Sequence, residues 1–303
     1  GRRAGRLRAD GDLGHPSAEV AAAEGAQVGY RRPADERAVA PRPFAAGGAG
    51  LGDKVLALLV GILYAKLTGR AIWVDWRDVA YGDGTDNYFG KLFALRGLPL
   101  APGLPEGRDV APPVWQGRLD RSMDDLYVAD GCPPWDRQAA IARYSADLSD
   151  LDCPAETVVL WEHDQFPRIR TACVKAGLAA PGDDEDRVLG RTWRDHLALA
   201  GTVRAVVDER VAWLREQGPA VGLHVRLTRE SEAIRATPRL GDYVAGARRM
   251  MRRTGAGRLF LATDNADVVR HMTAAFGPGS VLTTDKWFAA PGESLHRNPA
   301  CPD

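Results

Sequence analysis

Residues 47–76 read GGAGLGDKVLALLVGILYAKLTGRAIWVDW: a glycine-rich turn, an apolar run of helix length over 54–67, a stop at Gly69 and a buried strand over 71–76. Helix and strand in that order make half of an α/β unit, whose strand needs parallel neighbours to bury it. The strand preceding the turn should lie near 38–46, in AVAPRPFAA. Its two prolines and few β-branched residues argue against a good central strand.

The alternation returns at the other end of the chain. Strand 220–225, helix 240–254, strand 258–262, helix 266–276 and a short strand near 280–282 follow one another, which predicts a parallel, doubly wound sheet. Between the two regions lie a strand over 157–161, ending at the polar EHDQFP, and a mainly helical stretch over 180–217. In its last part, TVRAVVDERVAWLREQ, the residues Val203, Val206, Val207, Val211 and Leu214 recur at helical spacing and predict an amphipathic helix over 202–217. Residues 79–152 are loop-rich, punctuated by LPLAPGLPEG, APPVWQG and GCPPWD. Long loops in α/β proteins often carry substrate contacts.

At 303 residues the chain is long enough for two domains. We expect a flexible, Arg-rich extension over 1–40 without the apolar core of a secretory signal, an N-terminal domain over 41–200 and a C-terminal domain over 201–303. Forty basic residues balance 40 acidic ones, so no global field favours nucleic acid and an anionic ligand must be held locally. The longest apolar run, 55–64, is too short for a membrane span. Cys132, Cys153, Cys173 and Cys301 are widely spaced, without CxxC or a nearby His at ligand spacing. We expect free thiols in a cytoplasmic protein and no metal site.

Three places can carry chemistry. In GGAGLGDK the GK[ST] of a nucleotide P-loop is replaced by Gly52, Asp53, Lys54 and Val55. Gly48-x-Gly50 before a helix, with Asp75 ending the next strand, is nearer to a dinucleotide fingerprint, but Asp53 stands where a third glycine would be. A carboxylate there suits the positive end of the helix dipole as a cap and repels a pyrophosphate. The second place is His224 and Arg226, which share one strand face and leave the core at the edge where α/β sheets bind ligands. Arg226 can offer a fork of donors to phosphate oxygens, or it can pair with a structural carboxylate. The third is Thr263, Asp264 and Asn265, between a buried strand and a helix, where Asp264 can cap the helix or accept from a ligand.

Together, GLGDKVLALLVGILYAKLTGRAIWVDWRD (50–78), VGLHVR (221–226) and LFLATDNADVV (259–269), with a softer match in KWFAAPGESLH (286–296), resemble the NodZ-like α1,6-fucosyltransferase family of GT-B glycosyltransferases. The resemblance implies two Rossmann-like, doubly wound domains facing a cleft. It implies metal-independent transfer of fucose from GDP-fucose, or another GDP-sugar, to a glycan acceptor with inversion, the donor being a substrate and no cofactor being needed. By motif, Arg226 would contact the diphosphate, His224 would shape that pocket, and Thr263, Asp264 and Asn265 would face the nucleotide or its sugar. Gly50, Gly52 and Asp53 would lie in the loop facing the donor. An inverting transfer needs a base, usually a carboxylate, and the candidates are Glu232 and Glu230. Relatives continue beyond the position of Asp303, so the C-terminal domain is expected to be incomplete. Two alternatives stand beside this reading: an NAD(P)-binding oxidoreductase using Gly48, Gly50 and Asp75, and a truncated relative that neither binds donor nor turns over.

Overall fold

The first strand of the fold, β1 (Ala38–Pro41), is central in its sheet despite its proline. It lies parallel between β2 (Ala71–Ile72) and β5 (Thr157–Leu160), pairing Ala38 with Ala71 on one side and with Thr157 on the other. The expectation of a poor central strand is thus corrected. The strand is only four residues long and its proline is the last of them, so the lost N–H falls where the ladder ends. The computed structural model describes residues 50–77, 86–101, 103–105, 109–121, 123–132, 137–161, 165–226, 239–284, 286 and 288, and the backbone of 38–41. Residues 1–37, most of the expected extension, lie outside them; Arg37–Asp303 forms one compact unit.

The helix predicted over 54–67 is α1 (Leu51–Thr68). It ends at Gly69, whose φ of 68° lies in the left-handed region that glycine enters without the penalty of a Cβ. The N-terminal sheet is completed by β4 (Val110–Ala111), giving the order β2-β1-β5-β4, all parallel. Strand order reverses between β1 and β5, so the crevice for a ligand in such a sheet lies outside their carboxyl ends. Alternate residues of β5 serve two cores. Val158 and Leu160 pack with α1, α5 (Phe166–Lys175) and α6 (Glu185–His196), while Val159 and the following Trp161 join Trp115, Leu126, Ala140 and Tyr144. This sheet is therefore covered on both faces, as the near-continuous apolar run of a parallel central strand requires.

Short elements fill the loop-rich region: α2 (Phe89–Leu92), α3 (Met123–Ala129), α4 (Arg137–Tyr144), and β3 (Phe93–Leu95) paired antiparallel with β6 (Leu197–Leu199). The amphipathic helix is α7 (Gly201–Glu216), but none of its residues is buried and Val206 is 56% exposed. Its valine stripe has helical periodicity, but among the described residues no packing buries it.

The third sheet has the order β7-β8-β9, all parallel, formed by Ala220–Val225, Arg258–Thr263 and Val281–Leu282. Helices α8 (Leu240–Thr254) and α9 (Ala266–Phe276) follow the first two strands, with the bounds that the sequence pattern predicts. Val225, Leu259 and Leu261 meet Val244 and Ala247 of α8 and Val268 and Met272 of α9 in one cluster. Among the described residues both helices thus lie on one face of this sheet, where right-handed crossovers between successive neighbouring strands put them. The other face of β7 leaves Gly222 and His224 exposed. No helix among the described residues is long and apolar enough to cross a membrane.

Candidate functional site

The carboxyl edge of the third sheet brings together two of the charged residues predicted from the sequence, Arg226 and Asp264. The register pairs His224 with Ala262 and Val225 with Thr263, so that the next residues, Arg226 and Asp264, leave adjacent strands at the same level. Their side chains meet: Arg226 Nε lies 3.8 Å from Asp264 Oδ2. The arginine is half exposed, at 49%, while the carboxylate is at 14%. The guanidinium therefore reaches solvent with an anchoring acid behind it. The two roles open to Arg226, ion pair and phosphate ligand, are compatible in one arrangement, since a fork of five N–H groups can bind an acid with one edge and an anion with another.

The motif following β8 divides its work. Asn265, rather than Asp264, caps α9: its side-chain oxygen accepts from the N–H groups of Asp267 at 2.8 Å and Val268 at 3.3 Å. Thr263 Oγ1 accepts from the N–H of Asn265 at 3.2 Å and sets the turn. Asp264 is left facing Arg226. Replacement of Asn265 by Ala, which removes the acceptor for two otherwise unpaired helix donors, is expected to lower stability by about 1 kcal/mol in urea unfolding.

At the N-terminal loop, Asp53 Oδ2 accepts from the N–H of Gly50 at 3.2 Å and occupies the start of α1 with a carboxylate of the chain itself. A pyrophosphate seated on that helix end, as in a dinucleotide site, would meet this charge. Among the described residues neither glycine is demanded by crowding: a Cβ at Gly52 would meet nothing within 4 Å, and at Gly50 only Asp53 Oδ2 at 3.9 Å. Asp75, the acid that a nicotinamide enzyme would turn to the ribose, is buried and gripped by Arg77 through Nε to Oδ1 at 2.8 Å and Nη2 to Oδ2 at 2.9 Å. Both carboxylate oxygens are engaged, so a ribose hydroxyl would compete with Arg77 for them. Gly48, Glu230 and Glu232 lie outside the described residues.

At the end of β5, Gln165 is built into structure, and residues 162–164 lie outside the described residues. Ser145 Oγ accepts from the N–H of Trp161 at 3.1 Å and from Gln165 Nε2 at 3.0 Å, and the same amide nitrogen donates to the carbonyl of Ala146 at 3.1 Å. A cavity of 430 Å³ opens beside this network, lined by Tyr64, Ser145, Asp147, Gln165 and Arg168 among others, but by none of the predicted site residues. Burial pushes the Tyr64 phenol up to about 12. Among the described residues no group of three or more His, Cys, Asp and Glu could hold a metal ion.

One further cation stands at the edge of the third sheet, and the sequence pattern did not mark it as a site residue. Lys286 follows β9, half-buried, with its ammonium 5.5 Å from the centre of the Phe288 ring. Burial lowers its pKa from the ordinary lysine value, against the opposing charge of Asp264. The soft match beginning at Lys286 was the available signal.

No family model matches the sequence, and no curated protein matches it. Solved structures do. They include the fucosyltransferase NodZ from Bradyrhizobium in its selenomethionine form (TM-score 0.54), NodZ α-1,6-fucosyltransferase soaked with GDP-fucose (0.53), and the same enzyme co-crystallised with GDP (0.53). Each is 21% identical over 83% of this chain, covering 78%, 78% and 79% of the respective NodZ chains. At this level of identity it is the arrangement of strands and helices that is common to both, and the chain has the fold of the fucosyltransferase NodZ.

Proposed function

We propose that the chain is a glycosyltransferase of the GT-B type that moves fucose from a GDP-sugar to a glycan acceptor, with inversion and without a metal ion. The observation that carries this reading is the Arg226–Asp264 pair at the carboxyl edge of a parallel sheet, in a chain with the fold of an enzyme crystallised with GDP and GDP-fucose. Arg226 would neutralise the diphosphate as it leaves with the nucleotide, the role for which a preorganised cation in a partly desolvated site is suited. Asp264 would hold that guanidinium in place and face the nucleotide or its sugar, with Thr263 and Asn265 shaping the turn. His224, exposed on the same strand face two residues before Arg226, would form the pocket wall.

The N-terminal loop of Gly50, Gly52 and Asp53 would approach the donor from the second Rossmann-like domain across a cleft. The open space around both glycines supports this, since nothing among the described residues crowds a side chain out of either position. Glu232 or Glu230 would take the proton of the acceptor hydroxyl as the new glycosidic bond forms and the bond to the diphosphate breaks. Cys132, Cys153 and Cys173 are free, which suits a cytoplasmic location.

Calorimetric titration with GDP, GDP-fucose, GDP-mannose and NADH tests the reading. Saturable binding of GDP and the GDP-sugars without NADH binding is the expected result. Heat only with NADH would return the oxidoreductase alternative, and no heat with any of the four would favour a relative that keeps the fold without the donor site.

A further inference from the structure

Three strands end side by side at the edge that holds Arg226. The register pairs Leu259 with Val281 and Phe260 with Leu282, and the N–H of Leu259 donates to the carbonyl of Ser280 at 2.8 Å. Beyond the last ladder pair, Thr283 Oγ1 donates to the carbonyl of Leu261 at 3.2 Å, so the chain continues along β8 after the strand proper has ended. Counted from these pairs, position 286 has the same register number as position 264, as position 226 has from the β7 side. The carboxylate of Asp264 accordingly acts on the Lys286 ammonium.

From this juxtaposition we infer that Lys286 is a second cationic ligand for the donor diphosphate, working across Asp264 from Arg226. The inference rests on the proposed GDP-sugar reading and extends it to a residue on a third strand. The charge of Asp264 acts on Lys286 and its carboxylate meets Arg226, so two cations bear on the place where an anion would sit. Lys286 is held for the task rather than trailing in solvent: its stem is half-buried and its ammonium lies over the Phe288 ring, whose face attracts a cation. Part of its hydration has already been lost, and an oxyanion replaces lost hydration better than water at a partly buried site can. The two cations are chemically complementary. Arg226 presents a planar fork suited to two oxygens of one phosphate, and Lys286 presents a compact charge that suits the neighbouring phosphate.

The test compares GDP, GMP and guanosine binding to the wild-type chain, Lys286→Met and Lys286→Arg, with circular dichroism melting to confirm folding. Lys286→Met should weaken GDP about tenfold and guanosine hardly at all, because only the phosphates meet the ammonium. Lys286→Arg should recover most of the loss. Wild-type affinity for GDP in a folded Lys286→Met chain would overturn the inference while leaving the GDP-sugar reading intact. An equal loss for GDP and guanosine would also overturn it, since that pattern indicates a damaged pocket rather than a missing phosphate contact. Failure of the wild-type chain to bind GDP would remove the underlying reading and this one with it.

Discussion

Arg226→Ala should weaken GDP binding on the order of 100-fold, about 2.7 kcal/mol. Two effects add in the same direction. The fork of donors to the phosphates is lost, and Asp264, which faces Arg226 at 3.8 Å, loses that compensating charge next to the diphosphate site. The side chain is 49% exposed, so solvent screens part of the interaction and the larger losses known for fully buried pairs do not apply. Arg226→Lys should fall between the two, because a point charge restores the neutralisation but not the two-pronged geometry. Titration calorimetry of both variants checks this, and an Arg226→Ala chain that binds GDP as tightly as wild type would end the assigned role. The change should leave folding nearly intact, since half of the side chain is already open to solvent.

What the sequence discloses about this site is its strands, and what it conceals is their register. Alternating apolar patches bounded by glycine and polar residues marked β7, α8, β8 and α9 well, because each element is amphipathic or buried in its own period and is closed by turn chemistry. The edge of the sheet is another matter. Arg226 and Asp264 lie far apart in the sequence, and only the pairing of parallel strands makes them neighbours. Asp75 shows the converse case. Its position at the end of a strand matches a ribose-binding acid, yet Arg77 two residues later lies on the same side of the extended chain and takes both oxygens. That pairing was present in the sequence as Asp-Trp-Arg. The valines of α7 marked a helix that is there. The prolines of 38–46 misled, because propensity describes what a segment could pair and tertiary context decides whether a neighbour is there. For β1 the neighbours are strands on both sides, and they override its composition.

The largest effect on stability is expected at Arg70, far from the charged edge. Arg70→Ala should lower the free energy of unfolding by roughly 3–5 kcal/mol. The side chain is 1% exposed, and its Nη1 donates to the carbonyls of Ala155 at 2.8 Å and Glu156 at 3.1 Å while Nη2 donates to that of Cys153 at 2.7 Å. These three carbonyls belong to the segment that delivers the chain into β5, the strand between β1 and β4 whose residues feed both N-terminal cores. The donor itself is fixed by the end of α1, where Gly69 turns the chain and the N–H of Arg70 returns to the carbonyl of Ala65 at 3.0 Å. Truncation would strip charged donors from all three acceptors at once and open a space large enough for water to repair only part of the loss. Arg70→Lys keeps a charge but cannot span three carbonyls with the same planar geometry, so it should recover less than half. Urea unfolding followed by tryptophan fluorescence reads the difference directly, because Trp161 lies just beyond β5 in the buried core. A loss below about 1 kcal/mol, the range of an ordinary neutral hydrogen bond, would mean that the 153–156 segment holds its course without the arginine and that β5 is positioned by its ladder alone.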